Sequence, residues 1–212
     1  ALDWAASQLE GRATELRLVM AWQVPVVAAP MSTPASVPFD DHELREAAGQ
    51  DLRDLADSLD VSMPVVAQLG HGGPAEVLLA AAAEATVLVV GNRGRGGFAR
   101  LLLGSTSTQC ATHAAVPTIV VPGGVTAGPC GRIVVGVDGS PNALAALHWA
   151  VCFADPDATV EAVWVWDATP LAVGADAFFF PDASDLALER FNHLVEPAAD
   201  RADARGVRLE RS

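Results

Sequence analysis

The sequence repeats itself once, with a period of about 145 residues. Ala1–Ala5 (ALDWA) aligns with Ala146–Ala150 (ALHWA), and Leu18–Trp22 (LVMAW) aligns with Ala162–Trp166 (AVWVW). Self-similarity at a fixed spacing indicates a repeated structural unit. The chain is therefore predicted to contain two copies of one domain, at residues 1–121 and 131–212, joined by a Pro- and Gly-rich linker at 122–130.

Within each copy, apolar runs rich in β-branched residues alternate with amphipathic runs rich in Ala and Leu. The predicted strands are Leu16–Trp22, Pro64–Leu69, Val87–Val90, Thr118–Val121, Ile133–Val137 and Val160–Trp166. The predicted helices are Leu2–Leu9, Asp41–Leu59, Ala75–Ala83, Ser105–His113, Ala143–Ala154 and Asp185–Ala204. Strands that alternate with helices indicate an α/β domain with a mainly parallel sheet.

The register of the repeat predicts that each copy is incomplete. The second copy opens at Gly131–Ser140 (GRIVVGVDGS) with a strand that leads into a helix, and its counterpart in the first copy would precede Ala1. The second copy stops at Ser212, before its counterpart of the glycine-rich segment Val87–Ser107. We therefore expect the first domain to lack its first strand and the second to end before its own glycine-rich loop.

The charge balance disfavours several partners and several kinds of chemistry. The chain has 26 acidic against 13 basic residues, a formal net charge of −13, and the basic residues are all arginines. This net negative charge repels the phosphate backbone, so we expect no nucleic-acid partner. Because the chain has no lysine, it has no Walker phosphate loop, no Schiff-base lysine and no lysine general base.

Membrane and metal sites are also disfavoured. The most apolar run, Val77–Val90, contains Glu84 and is too short to span a bilayer. No signal peptide opens the sequence, so we predict a cytoplasmic protein with no membrane partner. The three cysteines, Cys110, Cys130 and Cys152, are widely spaced and lack a CxxC pair or a histidine at ligand spacing. No metal site and no catalytic residue is predicted from them.

The segment Val87–Ser107 (VLVVGNRGRGGFARLLLGSTS) places glycines between a predicted strand and a predicted helix. Gly91 and Gly94 allow a tight turn and a close approach of the backbone to a ligand. After Gly104, the amides and hydroxyls of the first helical turn would suit a phosphate group. The same residues could instead form only a strand-to-helix connection in which Ser105 is the N-cap.

A dinucleotide site is a second interpretation of part of this segment. Gly94–Ala99 (GRGGFA) fits the pattern G-x-G-x-x-A, which is a weak signal by itself. The following strand, Thr118–Val121, carries no acidic residue that could hold a ribose, so an NAD site is disfavoured. Arg93 and Arg95 could add positive charge to a phosphate site or could point to solvent.

The spacing Gly91-x2-Gly94-x9-Gly104-Ser105 matches, without a gap, the G-2x-G-9x-G(S/T) nucleotide signature of the universal stress protein family. Three other segments are similar to parts of that family's domain. They are its opening strand, the start of its third helix and its closing strand, at Ile133–Ser140, Pro74–Leu78 and Val116–Pro122. Because these segments come from both copies, the chain resembles the tandem-domain members. The glycine-rich Gly70–Gly73 departs from the family's usual loop before the third helix.

The resemblance implies a Rossmann-like fold of the adenine nucleotide alpha hydrolase type. It would consist of an open parallel five-stranded sheet of order 3-2-1-4-5 with helices on both faces, present twice. The resemblance also implies an ATP site, with or without Mg²⁺. The implied residues are Gly91, Asn92, Arg93, Gly94, Gly104, Ser105 and Thr106 on the ribose and phosphate side, with Val137 and Asp138 on the adenine side. Because each copy would hold half of a site, we expect this chain to bind ATP poorly.

Asp138 also has a purely structural interpretation. The residues Asp138–Pro141 (DGSP) are typical of a turn that leads into a helix, with Ser140 as N-cap and Pro141 at the first helical position.

As a function, the resemblance implies a stress-response regulatory module that ATP binding controls. Two alternatives stay open: an enzyme that hydrolyses ATP slowly, and a ligand-independent dimerisation module in which the closing strands pair. The implied partners are an adenine nucleotide and either the other domain, as an intramolecular pseudo-dimer, or a second chain, as a homodimer.

Overall fold

The computed structural model describes residues 1–23, 41–94, 103–125, 128, 130–165 and 183–212. By their internal contacts the residues form two compact units, Ala1–Gly128 and Pro129–Ser212. None of the helices in the described ranges is long and apolar enough to cross a membrane.

Helices and strands alternate through the described parts of both units, which confirms the predicted α/β class. The first unit contains α1 (Leu2–Leu9), β1 (Leu16–Trp22), α2 (Asp41–Asp57), β2 (Val65–His71), α3 (Pro74–Ala82), β3 (Leu88–Gly91), α4 (Ser105–His113) and β4 (Thr118–Val121). The second contains β5 (Arg132–Gly136), α5 (Pro141–Phe153), β6 (Thr159–Val163), α6 (Ala183–Ala204) and β7 (Arg208–Arg211).

The strands form three separate parallel sheets rather than the two five-stranded sheets expected from the resemblance. In the first unit β1 pairs with β2, and β3 pairs with β4. In the second unit the order is β5-β6-β7. The single open sheet is therefore not confirmed, because no ladder joins β1 to β3 among the described residues.

Helix α3 packs against both strand pairs of the first unit. Near its start, Val77 lies so close to Gly70 of β2 that any side chain at position 70 would clash with it. Near its end, Ala82 joins a buried cluster with Leu88 and Val90 of β3 and with Cys110 of α4. The two pairs therefore share one covering helix.

The second unit has one apolar and one charged sheet face. On the apolar face, Leu147, Val151 and Val195 of the two helices pack with Val160 of β6, and all four side chains are fully buried. On the other face, Arg132 donates to Glu161 and Glu210 at 2.7 and 2.9 Å. Beside them on β5, Val134 is 61% exposed. Parallel sheets are usually covered on both faces, so this charged face differs from the common arrangement.

Candidate functional site

Helix α1 runs against the direction of the strands and begins beside the end of β3. A Cβ built on Gly91 would lie 3.9 Å from the Cβ of Ala1. Just past the other end of the helix, the Glu10 carboxylate accepts a hydrogen bond of 2.8 Å from the Ser62 amide, which precedes β2. Gly91 and the amino end of β2 therefore lie at opposite ends of α1.

The strands β1 and β3 point the same way. Helix α3 starts directly after β2 and ends near Glu84, whose carboxylate lies 3.4 Å from the guanidinium of Arg17 at the start of β1. Four residues further on, Leu88 begins β3. Both strands thus begin near the end of α3, and their carboxyl ends lie at the opposite edge. In open α/β sheets, ligands bind at that edge, where the chain order reverses direction.

Asn92 joins the end of β3 to the end of β4. Its amide donates to the carbonyl of Val121 at 2.9 Å, which extends the strand pairing by one residue. Its side-chain oxygen accepts from the Gly123 amide at 3.2 Å. Both contacts fix the point at which the glycine-rich loop leaves the sheet.

The Asn92 carbonyl also holds the far end of that loop. It accepts hydrogen bonds from the Gly104 amide at 2.8 Å and from the Ser107 hydroxyl at 3.2 Å. Ser107 is 2% exposed, and its single hydroxyl proton is shared with the Gly104 carbonyl, which lies 2.9 Å from the same oxygen. The loop is therefore closed at its base by the protein's own hydrogen bonds.

Helix α4 begins with open amides. Its first intrahelical bond runs from the Thr108 amide to the Gly104 carbonyl at 2.9 Å. The three preceding helical amides, at residues 105–107, have no acceptor within the helix. The N-cap is Gly104 and no side chain caps the helix, so the interpretation of Ser105 as N-cap is wrong. Ser105 is instead the exposed first helical residue, and Thr106 is half-buried.

The three signature glycines have different surroundings. A Cβ on Gly94 would meet no described atom within 4 Å, whereas one on Gly104 would lie 3.4 Å from the Asn92 carbonyl oxygen. A Cβ on Gly91 would make only ordinary van der Waals contacts, the nearest with the Arg93 carbonyl oxygen at 3.5 Å. Arg93 and Gly94 are exposed at the end of the described loop, and Arg95 lies outside the described residues.

The predicted adenine-side residues belong to the second unit. Val137 is 3% exposed and its amide donates to the Val163 carbonyl at 2.8 Å. Asp138 is exposed and accepts a 2.8 Å hydrogen bond from the Ser140 amide. Hydrogen bonds from the Ser140 hydroxyl and amide hold the pKa of Asp138 below its ordinary value.

The turn predicted at Asp138 is present. Gly139 has φ of +82°, in the left-handed region that favours glycine. Ser140 caps α5 by accepting from the Ala143 amide at 3.2 Å, and Pro141 is the first helical residue. Of the predicted site residues, the structure brings Gly91–Gly94 and Gly104–Thr106 together at one edge of the first unit. Val137 and Asp138 take these structural roles in the second unit.

Two aromatic residues at the same edge of the first unit escaped the sequence analysis as ligand candidates. Trp22 ends β1 and is paired in register with His71, which ends β2. Their ring centroids are 4.9 Å apart and the ring planes meet at 68°. His71 is exposed and Trp22 is half-buried. The available signal was position: both residues end a strand at the carboxyl edge of the first unit.

Metal binding and thiol chemistry gain no support from the part of the chain that the structure describes. It contains no group of three or more His, Cys, Asp or Glu side chains placed to hold a metal ion. Cys110 is fully buried in α4, and this burial raises the pKa of its thiol. A thiol that is buried and protonated is a poor nucleophile.

Comparison with known proteins identifies a family model that matches nearly the whole chain and relatives that match about two thirds of it. The family model described as the universal stress protein family matches residues 1–122 and 130–211. A universal stress protein of Mycolicibacterium smegmatis is 32% identical over an alignment of 147 positions, which covers 66% of this chain and 50% of that protein. A universal stress protein of Mycobacterium tuberculosis is 26% identical over an alignment of 164 positions, which covers 67% of this chain and 50% of that protein. The chain thus spans about half the length of the curated relatives it matches.

The fold has a counterpart among solved structures. The crystal structure of a universal stress protein from Archaeoglobus fulgidus superposes with a TM-score of 0.59 at 16% identity. The match covers 93% of this chain and 66% of that one. With a family model that matches nearly the whole sequence in two consecutive segments, the chain belongs to the universal stress protein family.

Proposed function

We propose that the first unit holds the phosphate and ribose part of an ATP site, with the phosphates at the start of α4 and the ribose beside Gly91–Gly94, and that ATP binding regulates the protein's interactions in a stress response. One observation carries the proposal. The Asn92 carbonyl closes the glycine-rich loop onto Gly104, at the edge of the strands where α4 begins with amides that lack intrahelical acceptors.

The chemistry of this edge suits an anion. Unsatisfied amides at a helix N-terminus bind phosphate, and the helix dipole adds to the attraction. Such local donors can hold a nucleotide in spite of the chain's net charge of −13. Arg93 is exposed beside Gly94 and supplies a positive charge.

The same residues favour regulation over hydrolysis. Within the described loop, 91–94 and 103–107, Arg93 is the one ionisable side chain. A guanidinium does not take up a proton from an attacking water, because it is always protonated. We therefore assign this site the role of a nucleotide sensor, and any ATP hydrolysis would be slow.

We also propose the sheet order 3-2-1-4-5 for each domain. Under that numbering β1 to β4 of the first unit are strands 2, 3, 4 and 5, and β5 to β7 of the second are strands 1, 2 and 3. The observed neighbours β2-β1, β3-β4 and β7-β6-β5 all agree with this order. The neighbour pair 1-4 is the part that rests on the family resemblance alone.

The proposal is tested by thermal denaturation with and without millimolar ATP, on the protein that the complete reading frame encodes. A ligand that binds only the folded state raises its stability, so ATP should raise the melting temperature. Gly104→Glu places a carboxylate at the start of α4 and should abolish this rise. Gly131→Glu makes the same charge change where a Cβ meets no described atom, and should keep it. An unchanged melting temperature of the parent protein would rule the proposal out.

A further inference from the structure

We infer that the indole of Trp22, held in place by His71, is the surface on which the purine base of a bound nucleotide stacks. The inference rests on the proposed function for the placing of the phosphates, but its own evidence is the aromatic pair at the end of β1 and β2. By this inference the base of the nucleotide contacts Trp22, a residue of the first unit.

The two rings are placed together by the pairing of the strands. In a parallel ladder the paired residues Trp22 and His71 point to the same sheet face. Their edge-to-face contact at 4.9 Å and 68° is a favourable aromatic geometry. The backbone supports the pair as well, since the Gly72 amide donates to the Trp22 carbonyl at 3.0 Å. The indole is thus fixed before any ligand arrives.

The position of the pair matches the candidate phosphate loop. Trp22 and Gly91 end β1 and β3, which run in the same direction, as the Arg17–Glu84 contact and the course of α1 indicate. Both residues therefore lie at the carboxyl edge of the first unit. In the sheet order proposed above, which agrees with the pairs β1-β2 and β3-β4, β1 and β3 flank the point at which the strand order changes direction. A ligand that lies across this edge would have the loop on one side and Trp22 on the other.

The chemistry of the pair suits an uncharged aromatic ring. An indole that is partly open to solvent offers a flat apolar face. A base can stack on such a face whatever its identity, because every base has a flat aromatic ring. Another half-buried indole differs in its contacts: Trp164, directly after β6, meets the buried Phe191 at 5.4 Å and packs against the core of the second unit. Trp22 is instead held by an exposed histidine at the end of a strand.

The test measures, by calorimetry, the affinity of the protein encoded by the complete reading frame for three probes. The probes are adenosine, ATP and inorganic tripolyphosphate. Trp22→Leu should weaken the binding of adenosine and ATP by about tenfold, since stacking of a base contributes on that scale. Tripolyphosphate has no base, so its affinity should not change. Trp22→Phe should restore most of the loss, and Trp164→Phe should leave all three affinities unchanged.

The outcomes separate this inference from the proposed function. Binding of adenosine that depends on Trp22, without any binding of ATP or tripolyphosphate, would support the stacking surface and reject the phosphate loop. Binding of ATP and tripolyphosphate that Trp22→Leu leaves unchanged, or an absence of adenosine binding, would overturn the stacking surface. If the Trp22→Leu protein does not fold, His71→Ala is used in its place, because His71 is exposed. This change should weaken the binding of adenosine and ATP but not that of tripolyphosphate.

Discussion

Asn92 is the residue on which the geometry of the candidate site depends. Its amide, side chain and carbonyl contact Val121, Gly123, Gly104 and Ser107, and so connect β3, the end of β4 and the start of α4. The nucleotide signature includes the glycines but leaves this position variable. The structure therefore gives Asn92 a role that the sequence pattern does not specify: it closes the base of the loop.

The hydroxyl of Ser107 is predicted to stabilise this closure. Ser107→Ala removes a buried hydroxyl whose single proton is shared between the Asn92 and Gly104 carbonyls, and should lower the free energy of unfolding by about 1 kcal/mol. The measurement is urea denaturation of the two proteins. Thr108→Ala, at the next and exposed position, is the control and should change stability by less than about 0.5 kcal/mol. Equal effects of the two changes would show that the Ser107 contacts contribute nothing.

Two glycines are predicted to respond with opposite sign to the same substitution. Gly70→Ala should destabilise the first unit by about 1–3 kcal/mol, because its Cβ would clash with Val77 where α3 packs on β2. Gly49→Ala, within α2, should stabilise by about 0.5–1 kcal/mol, because its Cβ meets only ordinary contacts and Ala is the better helix former. Denaturation curves of both variants test the packing of α3. A neutral Gly70→Ala would contradict it.

At the scale of elements, the charged face of the second unit predicts a response to acid. Hydrogen bonds from Arg132 and Ser212, together with the charge of Arg132, hold the pKa of Glu161 below its ordinary value. The unfolded chain therefore takes up this proton at higher pH than the folded one. The contribution to stability is present above the ordinary carboxyl pKa of about 4.3 and is lost as pH falls through the lower pKa of the folded state.

The corresponding measurement compares Glu161→Gln with Glu189→Gln, an exposed glutamate on α6 for the control. At pH 6 the first change should lower the melting temperature and the second should not. At pH 3 the Glu161→Gln protein should come closer to the parent, because the parent has by then lost part of the ion pair. A constant difference between them across this pH range would mean that the Arg132–Glu161 pair is not responsible.

The elements with apolar periodicity were predictable from the sequence, and one charged element was not. β1, α1, α4 and β4 lie at their predicted bounds. β7 was missed because its sequence, Arg208–Arg211 (RLER), has one apolar residue and resembles the end of a polar helix. β7 is a strand because it pairs with β6 and because Glu210 contacts Arg132 of β5. Neither of these contacts can be predicted from the local sequence. The strand predicted at Val160–Trp166 is shorter in the structure, where β6 ends at Val163, and Trp166 itself lies outside the described residues.

The candidate site was predictable as a set of residues but not as an arrangement. Spacing identified the loop residues of the first unit, and the structure brings Gly91–Gly94 and Gly104–Thr106 to one edge. The role of the Asn92 carbonyl could not be predicted, because every residue has a carbonyl and only the path of the chain brings this one to Gly104 and Ser107. The Trp22–His71 pair depends on strand register, which a single sequence does not specify.

At the scale of the whole molecule, the central claim is that the first unit holds a nucleotide at the start of α4. Hydrogen exchange of individual amides, with and without saturating ATP, tests it most directly on the protein that the complete reading frame encodes. ATP should slow exchange at the amides of Ser105, Thr106 and Ser107 and at Gly91–Gly94, while exchange in the core of β5–β7 stays unchanged. ATP binding that leaves the amides of residues 105–107 unprotected would contradict the account.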